Sequence, residues 1–130
     1  MVRLIKPPLD RDDSLDKIQV KEPNHQKARE SMEAAKGLAE KGHLDSMEIM
    51  LTLARKRGAD IDELKKIQRE AYEKKLKSEL AWARRYIGEL TLGDINLVLS
   101  FAEEYADRLG ENIDAELQEI REKAEAAMNQ

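Results

Sequence analysis

Two glutamates three residues apart, Glu70 and Glu73, are the pair in this 130-residue chain best spaced for chemistry. On a helix, positions i and i+3 share a face, so both carboxylates can reach one hard cation such as magnesium. Asp94 would add a ligand from a second helix, and a cation so held can activate water for hydrolysis. The second half of the arrangement is incomplete. Thr91, not a carboxylate, stands three residues before Asp94, and Glu104-x-x-Asp107 falls on the solvent side of its helix pattern. With 27 acidic residues in the chain, pairs at this spacing arise readily on solvated faces. No catalytic residue, metal or cofactor is therefore assigned, and Glu70, Glu73 and Asp94 stand only as an alternative reading.

Other chemistries are poorer still. The two histidines, His25 and His43, do not form an H-x-x-x-H pair with each other or with a further histidine, and the run His43, Leu44, Asp45, Ser46 is too local for a triad that must converge in space. There is no cysteine, which removes thiol nucleophiles, disulfides and thiolate zinc. The six glycines are isolated at helix ends, so there is no phosphate-cradling loop. What remains is binding. Trp82 is the single tryptophan, and with Tyr86 and Arg85 it makes a candidate partner-binding set, since Trp, Tyr and Arg dominate interface energetics. Leu4 and Ile5 join it as apolar residues of an N-terminal arm. Trp82 in the core is the competing expectation.

These residues need elements to hold them. Residues 1–23 carry all three prolines and the cluster Asp10, Arg11, Asp12, Asp13, and read as an extended arm. Its apolar residues can dock on the body or on a neighbouring subunit. Residues 24–130 read as a single all-α domain of about five antiparallel helices, in units of about 24–75 and 76–130. Ala28, Met32, Ala35 and Ala39 mark the first helix; Met47, Met50, Leu51 and Ala54 mark the second, with Asp45 as its cap. A long third helix starts at Asp60 and runs to about Gly88. Its apolar face shifts from Leu64, Ile67 and Ala71 to Tyr72, Leu76, Leu80 and Ala83, so it serves as a central helix shared by two units, or bends near Lys74–Lys77. The fourth spans about Asp94 to Leu109, and the fifth carries Ile113, Leu117, Ile120, Ala124 and Met128 after Asn112.

The chain also repeats itself. An offset of 48 residues aligns Leu44 with Leu92, Met47 with Ile95, Leu51 with Leu99 and Ala54 with Ala102. An offset of 52 then aligns Gly58 with Gly110, and one more residue aligns Leu64, Ile67 and Ala71 with Leu117, Ile120 and Ala124. The expectation is a duplicated helical-hairpin unit. Within each unit, Leu38, Gly42, Leu44, Leu51 and Ala54, and then Trp82, Ala83, Tyr86, Leu92, Leu99 and Ala102, resemble the tetratricopeptide (TPR) helical hairpin. Met47 and Ile95 stand where that family has a small residue, and Leu90 where it has glycine, so the likeness is TPR-like packing rather than membership. It implies a scaffold that takes proteins or peptides in a groove. The Glu70, Glu73 and Asp94 reading has its own likeness, to magnesium-dependent all-α nucleotide pyrophosphatases.

Charge is unevenly laid out. Residues 1–60 hold 12 basic and 11 acidic side chains, residues 61–86 hold 8 and 5, and residues 87–130 hold 3 and 11. The basic central helix makes a nucleic-acid-associated accessory protein a second alternative, yet its cations wrap around the helix among glutamates. A protein partner or a homo-oligomer is expected instead, and nucleic acid is not favoured. No apolar run is long enough to span a membrane, and no secretory signal opens the chain, so the cytoplasm is the expected location. The function expected is a non-enzymatic helical interaction or scaffold module of unknown pathway.

Overall fold

The structure is a computed structural model and describes residues 6–128. Those residues form five helices and no strand: α1 (His25–Glu40), α2 (Leu44–Lys56), α3 (Ile61–Arg85), α4 (Leu92–Leu109) and α5 (Asp114–Met128). The chain is all-α, as the apolar spacing requires. It divides into two compact units, Met1–Tyr72 and Glu73–Gln130, with the division inside α3. No helix of the described residues is long and apolar enough to cross a membrane.

In the first unit α1 and α2 pack side by side as a hairpin. Leu44, Met47, Leu51 and Ala54 of α2 are buried, facing the small residues Ala28, Ser31 and Ala35 of α1. The face of α1 is thus turned slightly from the expected one: Met32 and Ala39 are only half-buried, and Ser31 takes the central place. A buried hydroxyl needs a partner, and Arg57 Nη1 donates to Ser31 Oγ at 2.9 Å. Beyond α2, Leu64, Ile67, Ala71 and Tyr72 complete the core. Glu48 accepts from the Tyr72 hydroxyl at 2.8 Å and from Gln68 Nε2 at 3.3 Å, with Lys6 Nζ at 3.5 Å from its other oxygen.

Residues 6–23 of the arm lie on their own chain. Pro7 and Pro8 exclude a helix, and turns follow, with Arg11 N–H donating to Pro8 C=O at 2.9 Å. Leu15 is buried, Lys65 pairs with Asp16 at 2.8 Å, and Arg69 pairs with Asp10. The N–H groups of Lys21 and Asn24 then donate to the carbonyls of Lys56 and Arg57 at 3.1 and 3.0 Å. Those carbonyls close α2, where a helix cannot satisfy its own acceptors, so the arm serves as a cap. Leu4 and Ile5 lie outside the described residues.

Two helix starts differ from the sequence reading. Asp45 lies in the first turn of α2 rather than at its cap. His43 holds the cap position because its N–H already donates to Leu38 C=O at 2.9 Å and its C=O accepts from Met47 at 3.0 Å, which leaves no residue to spare. The fourth helix begins at Leu92, before Asp94, because Thr91 Oγ1 accepts from the Asp94 N–H at 3.1 Å. Thr91, which breaks the carboxylate motif, is there as a cap.

In the second unit α4 and α5 form the hairpin. Leu76, Leu80 and Ala83 of α3, Ile95, Leu99, Ala102 and Ala106 of α4, and Leu117, Ile120 and Ala124 of α5 are buried. Burial follows the repeat seen in the sequence. Met47 and Ile95, Leu51 and Leu99, and Ala54 and Ala102 are completely buried in their respective units. The helix ends agree as well. Gly58 and Gly110 have φ of +98° and +72°, and in each case the next residue donates back five positions along the helix, Ala59 to Ala54 and Glu111 to Ala106. This is the Schellman closure, which needs the left-handed conformation that glycine tolerates best.

Candidate functional site

Two helical stripes of the second unit face each other across an open groove. From α3 come Lys75, Ser78, Glu79 and Trp82, at i, i+3, i+4 and i+7; from α4 come Val98, Phe101 and Tyr105, at i, i+3 and i+7. Both sets follow from the helical period, which stacks such positions on one face. The groove has a volume of about 340 Å³. Turns after Arg85 bring the chain back: Tyr86 C=O accepts from the N–H groups of Glu89 and Leu90, and Thr91 then starts α4.

The walls are unusually aromatic for this chain. It has five aromatic residues, of which Trp82, Phe101 and Tyr105 line the groove and Tyr86 stands against Trp82. Trp82 is 40% exposed and Phe101 is 43% exposed, with Leu97 beside them at 55%. The Trp82 and Tyr86 rings stand 4.8 Å apart at 44°, a tilted pairing that holds the indole in place. The Arg85 guanidinium lies 5.6 Å from the centre of the Tyr86 ring, within cation–π range. At the other end Lys75 Nζ and Glu79 Oε1 pair at 3.3 Å. The groove is therefore apolar and aromatic around Trp82, Val98 and Phe101 and polar around Lys75, Ser78 and Glu79, with its lining charges paired with each other.

Of the sequence-derived binding residues, Trp82, Tyr86 and Arg85 come together on one stretch of α3, and Trp82 lines the groove. Leu4 and Ile5 cannot be placed with them. The residues of α4 were not singled out from the sequence, although a signal is present: Val98 and Tyr105 with Phe101 form a second stripe beside Ile95, Leu99 and Ala102. An apolar surface that wide exceeds what one buried face requires.

The carboxylate reading finds no such assembly. Among the described residues, no group of three or more His, Asp or Glu side chains is placed to hold a metal ion. Asp94 is exposed in the first turn of α4, where its N–H is capped by Thr91. His25, at the start of α1, accepts from Arg29 Nη2 at 3.2 Å, and His43 is an exposed cap residue. Comparison with protein-family models, curated proteins and solved structures gives no match.

Proposed function

We propose that the chain is a non-enzymatic interaction module whose α3–α4 groove seats an apolar segment of a protein partner. The observation that carries this reading is the exposure of Trp82 and Phe101 on facing walls of one groove. A ring of this size gains roughly 1.5–3 kcal/mol when fully removed from water, so two rings left half in water favour a covering surface. Arg85 and Tyr86 beside them supply the residue types that anchor interfaces. The TPR-like spacing points the same way, because that likeness implies groove binding of peptides. Three cations of the long basic helix, Lys65, Arg69 and Lys75, are paired with carboxylates, which supports a protein over nucleic-acid phosphate.

Selection from a displayed library of random peptides tests the reading. Peptides with apolar anchors are expected to bind, and both Trp82→Ala and Phe101→Ser should abolish capture while leaving the helical circular-dichroism signal intact. Failure to select any peptide, or peptides that bind both variants as well as the parent, would contradict it.

A further inference from the structure

We infer that the α3–α4 groove is self-complementary and receives the same groove of a second copy of this chain, the two related by a two-fold axis running along it. The inference rests on reading the groove as a protein-docking surface. The two helices that wall it differ in net charge. The second-unit part of α3, residues 73–85, has Lys74, Lys75, Lys77, Arg84 and Arg85 against Glu73 and Glu79. All of α4 has Asp94, Glu103, Glu104 and Asp107 against Arg108 alone, and Arg108 is buried.

Helical phase places part of this charge on the rim. Lys74 and Arg85 fall on the side of α3 that carries Ser78, and Asp94 and Glu104 fall on the side of α4 that carries Leu97 and Phe101. The short connection sets the two helices antiparallel. Arg85 thus stands at the Asp94 end of the groove, and Lys74 at the Glu104 end.

Symmetry converts this into one arrangement. Two identical grooves can face each other about an axis along the groove or an axis across it. The axis across sets α3 on α3 and α4 on α4, like charge on like. The axis along it sets α3 of each copy on α4 of the other, so Arg85 meets Asp94 and Lys74 meets Glu104, each pair formed twice. The same operation lays Trp82 of one copy over Leu97, Val98 and Phe101 of the other. Exposed apolar residues on both walls are then covered together, and opposite charges border them.

Sedimentation equilibrium of the full chain over a wide concentration range provides the test, with circular dichroism to confirm folding. The expected mass rises from one chain to two, and Phe101→Ser weakens the dimer. Lys74→Glu with Arg85→Glu makes both walls acidic, and Asp94→Lys with Glu104→Lys makes both basic. Each double variant alone should associate about tenfold or more weakly than the parent, whereas an equimolar mixture should form heterodimers. A parent that stays monomeric throughout, or a mixture no heavier than its separate components, overturns the pairing. If a monomeric parent still binds selected peptides through Trp82 and Phe101, self-pairing fails and the docking surface stands. If it binds none, both fail.

Discussion

Leu99 and Phe101 are two residues apart on α4, yet the first is completely buried and the second is 43% exposed. Leu99→Ala should cost about 2–5 kcal/mol, because it leaves a cavity in a closed core. Phe101→Ser should cost about 1 kcal/mol or less, as surface changes do. Urea denaturation of both variants checks this contrast, which separates residues needed for folding from those available for binding. A third residue bears on pH. Glu119, exposed on α5, has its pKa lowered by a hydrogen bond from Lys123 Nζ at 2.8 Å, by the charge of Lys123 and, less, by that of Arg84. A lowered folded pKa means that this pair's contribution is present above the unfolded pKa and fades as pH falls through the folded one. Lys123→Met should move the Glu119 titration, followed by NMR, up toward the ordinary glutamate range. At this scale the sequence was partly legible. Large core residues such as Leu51 and Leu99 follow from periodicity, whereas Ser31 is buried only because Arg57, distant in sequence, donates to it.

Glycines behave differently by element, and they make the helical punctuation testable. Gly58 and Gly110 end α2 and α4 with positive φ, so alanine at either should destabilise by about 1–2 kcal/mol. Gly37, expected at a helix end, instead lies within α1, and a Cβ there would meet nothing within 4 Å. Gly37→Ala should therefore stabilise, by about 0.5–1 kcal/mol, since glycine in a helix costs backbone entropy. Thermal unfolding of the three variants should show the opposite signs. Helix ends were legible because glycine marks them directly. Starts were less so: Asp45 and Asp94 have the side chains of cap residues, but His43 and Thr91 hold those positions in α2 and α4. Both aspartates fall in first turns, where a carboxylate favours the helix dipole as well as it would at a cap.

Across the whole molecule, the formal charge of −4 conceals a chain whose acidic excess lies in its last third. That distribution was visible from the sequence, as were the all-α class and the repeated spacing. The groove was not, because it depends on how Trp82 and Phe101, distant in sequence, come to line one opening. A stripe of apolar residues reads the same whether tertiary packing covers it or leaves it open. Trp82 offers a direct readout, since it is the chain's single tryptophan and lines the groove. Its emission and its quenching by acrylamide can be followed from dilute to concentrated protein and on addition of a selected peptide. A docking surface predicts a blue shift and reduced quenching as the groove fills, both absent in Phe101→Ser. An indole that remains equally wet and quenchable under every one of these conditions would contradict the account.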